Sequence, residues 1–331
     1  MKSLKDILYR HRVLFFRLTI TCLLFWFLFR SGANLRKTFD QMMQASPLWL
    51  LGAFTAKILT EYFTAFKWHY LMQRAGLSVK FIRVLYVYFT GFFYGLFIPG
   101  VIGGDIPRLF MLAPDSGGKA KALASIFMQR NTGFAGMFIL VDILLFFYPI
   151  QLQIFTEPFV FLNDVKRWFF VLTLGYIFTN ILILTPYVTT HLTHYMQCGG
   201  KFLAKIASLV TKGHNSLLLF RNSIFPSVIL SIFAQLLTGL SFWCLLCSVG
   251  LSIGFWHSCI YMTVLTLVFL IPISFNGLGL REIMYAAMFA EFGCDKSTAV
   301  ALGLLQFGLI VLFSLCCGLW HFSNLKLKTN S

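Results

Sequence analysis

Six stretches of this chain, at 13–29, 48–66, 123–147, 169–189, 224–249 and 299–320, stay apolar over the length a helix needs to cross a bilayer. Two more, 84–98 and 258–273, are shorter and run straight into segments punctuated by proline and glycine. This pattern constrains the fold strongly, because in hydrocarbon every backbone N–H and C=O needs an internal partner and a span must therefore be helical. Composition agrees: 58% of residues are hydrophobic, 11% are charged, and mean hydropathy is +0.80. A soluble domain does not keep such values. The expected fold is an all-α polytopic membrane protein, a single integral membrane domain over 1–331. No polar stretch is long enough for an extramembrane domain, so its chemistry lies in or at the bilayer.

The two punctuated segments are alike. The first reads Ile98-Pro99-Gly100-Val101-Ile102-Gly103-Gly104-Asp105-Ile106-Pro107-Arg108, and the second Ile271-Pro272-Ile273-Ser274-Phe275-Asn276-Gly277-Leu278-Gly279-Leu280-Arg281-Glu282. Each places an arginine nine positions after its proline, with a carboxylate nearby, and the prolines lie 173 residues apart. Proline breaks an apolar helix and frees backbone groups that then need protein, water or a ligand. A matched pair of breaks, one in each half, points to a transporter-type binding site.

Charge selects a topology. If all eight apolar stretches cross, the loops carry 12 Lys/Arg on each side, with no bias. If the punctuated stretches, about 84–110 and 258–293, are instead re-entrant hairpins, the count becomes 17 inside and 7 outside. The positive-inside rule favours the second arrangement, with about six full spans, cytoplasmic termini and segments 67–83, 108–121 and 190–222 inside. The hairpins then enter from opposite faces, as an inverted repeat requires. Lys2, Lys5, Arg10 and Arg12 precede the first apolar run as in a signal peptide. The run is too long and lacks a small-residue cleavage site, so it is read as a retained helix.

Candidate site residues follow from depth and chemistry. Arginine in a span is costly and faces a cavity or a partner, which singles out Arg108, Arg130 and Arg281. A guanidinium grips phosphate through a planar fork. The bland reading of these arginines is internal pairing, with Asp105, Glu282 or a carbonyl. Gly103, Gly104, Gly277 and Gly279, with Asn276, allow sharp turns and a close backbone approach to an anion, although tight hairpin packing also selects glycine. Lys57 and Glu61, four residues apart, share a helix face and neutralise one another; Glu61, Asp105, Asp142 and Glu282 are the acids available for coupling.

The formal net charge of +16 suits an anionic phospholipid surface. Segment 195–222 contributes to it, with Lys201, Lys205 and Lys212 flanking an apolar face formed by Phe202, Leu203, Ile206, Leu209 and Val210, the pattern of an interfacial helix. Nucleic acid is a poor partner, because the basic residues are dispersed through short loops. The eight cysteines are scattered, with no C-x-x-C, and His191 and His194 lack acidic or thiol company. Neither a disulfide frame, a metal site nor another cofactor is expected.

Taken together, Phe66-Lys67-Trp68-His69-Tyr70-Leu71, Tyr88 to Phe97 leading into Ile98-Pro99-Gly100, then Gly103-Gly104-Asp105 and Arg108 resemble the lysylphosphatidylglycerol synthase transmembrane-region family. Ala124-Ser125 with Arg130, and Pro272-Ile273-Ser274 with Asn276-Gly277, Gly279 and Arg281-Glu282, resemble its other signatures. This flippase-like or YbhN-like family includes the membrane half of the multiple peptide resistance factor, which is credited with flipping aminoacylated phosphatidylglycerol. Some archaeal relatives are linked to polyprenyl-phosphate sugar transfer.

The resemblance implies a bacterial inner-membrane protein handling lipids with anionic or phosphate-bearing heads. A soluble aminoacyl-transferase domain is not expected from these 331 residues, and Gln129 stands where an acid is expected before Arg130. The expected function is translocation of a phospholipid or polyprenyl-phosphate-linked lipid between leaflets. Two alternatives remain at this stage. One is a membrane-embedded polyprenyl-phosphate-dependent glycosyl- or phosphotransferase, for which no D-x-D cluster is present. The other is a non-transporting lipid-binding scaffold for a lipid-modifying enzyme. Such an enzyme and a second copy of the chain (a homo-oligomer) are the protein partners considered.

Overall fold

The computed structural model describes residues 19–98, 103–148, 164–185, 211–269, 274 and 277–329. Among these the regular elements are all helical. In chain order they are α1 (Thr19–Arg30), α2 (Leu35–Gln44), α3 (Pro47–Arg74), α4 (Phe81–Phe97), α5 (Asp105–Leu112) and α6 (Lys119–Phe147). Then come α7 (Val165–Leu184), α8 (Ile224–Ser248), α9 (Phe255–Phe269), α10 (Leu280–Met288) and α11 (Lys296–Thr329). The 3-10 turn Arg221–Ser223 leads into α8. Four helical runs are long and apolar enough to cross a membrane: Lys119–Phe147, Val165–Leu184, Thr211–Ser248 and Lys296–Ser323. At 28 residues, or about 42 Å, α3 has the length but carries Lys57, Glu61 and Lys67. The first expected span is described only from Thr19.

Local sequence sets the boundaries. Pro47 sits at the start of α3, where its missing N–H costs nothing. The N–H of Ser46 donates to the Ser248 carbonyl at 2.9 Å, tying the start of α3 to the end of α8. At Ile98, directly before Pro99, α4 ends, since the residue preceding proline is driven out of the helical region. Each punctuated segment thus follows a helix too short to span comfortably and leads into a shorter one, α4 to α5 and α9 to α10.

Helix packing comes in matched sets. The longest interface joins α3 to α8. Around it, α3 packs on α4 as α8 packs on α9, and α4 on α5 as α9 on α10. Likewise α5 packs on α6 as α10 packs on α11, and α4 packs on α11 as α9 packs on α6. Exchanging helices α3–α6 for α8–α11 therefore maps each of these packings onto another. Two large apolar cores lie in the bundle, one around Trp68, Met72, Val84, Leu112 and Phe220, the other around Leu145, Phe242, Leu246, Ile260 and Phe289, and a smaller one joins Leu28, Ala33 and Val300.

Two sequence expectations need correction. Segment 67–83 is not simply a loop: α3 continues to Arg74, and Lys67 is only 2% exposed, its ammonium donating to the Gln129 carbonyl of α6 and the Ser231 hydroxyl of α8. Removing the buried Lys67, Arg108 and Arg281 from the loop counts changes 17 to 15 and 7 to 6, so the inside bias survives. Segment 30–46, expected to be a connection, contains α2, capped by the Asn34 side chain and packed on α11. There Lys37 pairs with Asp295, whose carboxylate also accepts from the N–H and hydroxyl of Thr298 at 2.9 and 2.6 Å. Partial burial pushes the Asp295 carboxyl up, but the hydrogen bonds from Lys37 and Thr298 outweigh it and hold the group below its ordinary value.

Candidate functional site

The break after α4 works by close approach. A Cβ on Gly104 would lie 2.5 Å from the Gly91 carbonyl oxygen, and one on Gly91 would overlap Arg108. A Cβ on Gly103 would meet the Ile98 carbonyl. These glycines therefore let α5 fold back tightly against α4. The return places Asp105 in the first turn of α5, where a carboxylate favours the helix dipole, and Arg108 one turn later on the same face.

Asp105 is shared between two arginines. Its Oδ1 accepts from Nη1 of Arg108 at 3.0 Å, and its Oδ2 accepts from Nε of Arg130, on α6, at 2.6 Å. Nε and Nη2 of Arg108 both donate to the Tyr88 carbonyl, at 3.2 and 3.0 Å, and its guanidinium stacks 4.2 Å from the Tyr88 ring centroid. The Tyr88 hydroxyl donates to Glu61 Oε2 at 2.8 Å, and Glu61 pairs with Lys57. One polar network thus runs from Arg130 through Asp105, Arg108, Tyr88 and Glu61 to Lys57, crossing α6, α5, α4 and α3. Its ion pairs join three cations to two carboxylates. Asp105 and Arg108 are buried, whereas the Arg130 side chain is 33% exposed.

The second break is built differently. Gly279 adopts φ +82°, a left-handed backbone that suits glycine, and a Cβ there would lie 2.6 Å from Leu24 of α1. Its N–H donates to Glu282 Oε2 at 2.6 Å. Glu282 is fully buried and occupies the space left by Gly303 on α11, where a Cβ would collide with the carboxylate. Arg281 is also buried, with its guanidinium 5.4 Å from the Phe269 ring centroid. Gly277, at φ +77°, borders Arg281. One turn along α10, Tyr285 donates its hydroxyl to Gln306 of α11.

The family model described as the lysylphosphatidylglycerol synthase TM region matches residues 14–318. The chain belongs to this family. No curated protein and no solved structure matches it significantly. Membership in the lysylphosphatidylglycerol synthase transmembrane-region family ties this multi-pass membrane protein to lipid handling.

Of the residues singled out in this family member's sequence, Asp105, Arg108, Arg130, Lys57 and Glu61 come together in the first network. Arg281, Glu282, Gly277 and Gly279 gather around α10, and α5 and α10 do not pack substantially on each other among the described residues. Asn276 lies outside the described residues, as do His191, His194 and residues 195–210 of the predicted interfacial segment 195–222. The described cysteines are all free, and no group of three metal-ligating side chains occurs among the described residues.

Three participants carried no sequence signal strong enough to find them. Tyr88 acts through its carbonyl as well as its hydroxyl. The ammonium of Lys67 donates to the Gln129 carbonyl at 2.9 Å and the Ser231 hydroxyl at 3.0 Å, joining α3, α6 and α8. Gln129 contributes only its backbone to that bond, and the carboxylate expected next to Arg130 is supplied across the break by Asp105.

Proposed function

We propose that the protein moves a phosphate-bearing lipid, a phospholipid or a polyprenyl-phosphate-linked lipid, between the leaflets of a bacterial inner membrane, with both termini cytoplasmic. The observation that carries this reading is Asp105 held between Arg108 and Arg130. Asp105 and the Tyr88 carbonyl hold Arg108 in place, while Arg130 is exposed enough to meet a headgroup. A guanidinium anchored by one carboxylate and still reachable is suited to take a phosphate through its fork. In this reading Arg281, Gly277, Gly279 and Asn276 form the counterpart seat, Gly103 and Gly104 shape the first turn, and Glu282 and the Lys57–Glu61 pair hold or couple the moving parts.

The paired packings around α3 and α8 support two related halves, and loop charge supports opposite orientation, with hairpins at about 84–110 and 258–293 entering from opposite faces. Motion of one half against the other would alternate access while the acyl or isoprenoid tail stays in lipid. Proteoliposomes carrying a headgroup-labelled phospholipid test this directly. Arg130→Gln is expected to lower the rate of headgroup translocation at least tenfold while leaving the fold intact, and an unchanged rate refutes the assignment.

A further inference from the structure

Between α3, α8, α9 and α11 lies a cavity of about 90 Å³, with Lys57, Thr60, Thr238, Ser241, Met262 and Gln306 in its wall and apolar residues of α8 and α11 closing it. A single water needs roughly 10–15 Å³ on this measure, so the space accommodates several waters or one tetrahedral oxyanion.

The wall chemistry selects among ligands. Lys57 has three N–H donors; Glu61 takes one contact, and the rings of Phe92 and Phe313 stand 5.4 and 5.9 Å from its nitrogen. The amide oxygen of Gln306 is taken by Tyr285, but among the described residues its NH₂ meets only the Met262 sulfur, at 3.8 Å, a weak acceptor. The hydroxyls of Thr60, Thr238 and Ser241 donate to the carbonyls of Ala56, Ala234 and Ala53 at 2.9, 3.0 and 2.7 Å, and each is free to rotate toward a stronger acceptor. A cation is disfavoured, because the wall contains an ammonium and no carboxylate. An apolar ligand would strand the amide and the ammonium.

We propose that this cavity binds a small oxyanion of phosphate type, held by Lys57 and the Gln306 amide. Its position gives the site reach. Lys57 ends the network that begins at Arg130 and Asp105, and Gln306 is joined through Tyr285 to the helix bearing Arg281 and Glu282. Both punctuated motifs are therefore linked to this site through side-chain networks, without touching it, whether or not a lipid is moved at Arg130. The phosphate is either a free ion or a lipid headgroup.

The test uses the full-length, delipidated protein in a neutral sugar detergent. Its melting temperature is followed against inorganic phosphate at constant ionic strength, then against a short-chain phosphatidate. Wild type is compared with Gln306→Leu, Thr238→Val and, as a control away from the cavity and from Arg130, Asp115→Asn. A saturable rise in melting temperature is expected, with the midpoint concentration raised at least tenfold in Gln306→Leu and unchanged in Asp115→Asn. If Gln306→Leu does not fold, Thr238→Val, nearly the same in shape, is read in its place for the same midpoint shift. Response to inorganic phosphate identifies a free-ion site, and response to phosphatidate alone identifies a headgroup site. No saturable response to either, or equal midpoints in wild type and the cavity variants, overturns the proposal.

Discussion

Replacing Asp105 with asparagine removes one charge but strands two. The contact to Arg108 is 3.0 Å long between side chains that are only 10% and 9% exposed, so nearly all of its worth is felt. The contact to Arg130 is 2.6 Å long, but that arginine is 33% exposed and solvent-side screening roughly halves its share. Hydrogen bonds to charged groups contribute about 1.5–3 kcal/mol each, and breaking a buried pair from one side costs about 3–5 kcal/mol. The two scales meet near 3–4 kcal/mol for Asp105→Asn. At about 2–4 °C per kcal/mol, this is a fall of roughly 6–16 °C in melting temperature. Scanning fluorimetry of the purified protein in mild detergent reads it. The control is Asp115→Asn, which breaks an ion pair with Arg83 at 2.8 Å between side chains each about a third exposed, with an expected cost below about 1 kcal/mol. If Asp105→Asn melts within about 2 °C of wild type, or no lower than Asp115→Asn, Asp105 is not the shared counter-ion of Arg108 and Arg130 and the reasoning fails.

Other outcomes follow from the same structure. Gly303→Ala places a methyl against the buried Glu282 carboxylate and is expected to destabilise by about 1–3 kcal/mol, whereas Gly308→Ala, with open space around it, is expected to stabilise by up to about 1 kcal/mol; paired melting curves decide. Lys67→Met keeps the volume and removes an ammonium bonded only to uncharged acceptors, so its melting temperature is expected to stay well above that of Asp105→Asn, and the reverse order contradicts this. Because the folded Asp295 carboxyl is held below its ordinary value of 3.8, its contribution is present above that pH and is lost as pH falls through the lower folded value. The stability difference between wild type and Asp295→Asn is therefore expected to be constant near neutrality and to shrink below about pH 4 in pH-dependent unfolding.

Much of the bundle is legible in the sequence because hydrocarbon permits so few alternatives. The long apolar runs become α6, α7, α8 and α11, and α4 stops where Pro99 requires. The charged side chains of the first network are legible too, since a lysine and a glutamate four apart on one helix find each other and arginines at depth demand partners. Which partners they take is not legible. Asp105 and Arg130 are 25 residues apart across the break, and their pairing depends on how tightly Gly91 and Gly104 let the chain fold back. Arg108 donates two of its bonds to a backbone carbonyl, which has no residue signature. Lys67 resembles a loop cation because the apolar run before it ends at Phe66, and only the meeting of α3, α6 and α8 shows that its charge is inside. The central cavity depends on four helices from both halves of the chain, and its polar residues are too sparse in any one helix to form a pattern.

The most direct test of the central claim, that Asp105 and its two arginines seat a lipid phosphate, is native mass spectrometry of the full-length protein released from mild detergent, comparing wild type with Arg130→Gln. The account predicts a discrete phosphate-bearing lipid adduct on the wild type that is lost from a folded Arg130→Gln protein. The same adduct, equally abundant on both, would contradict it.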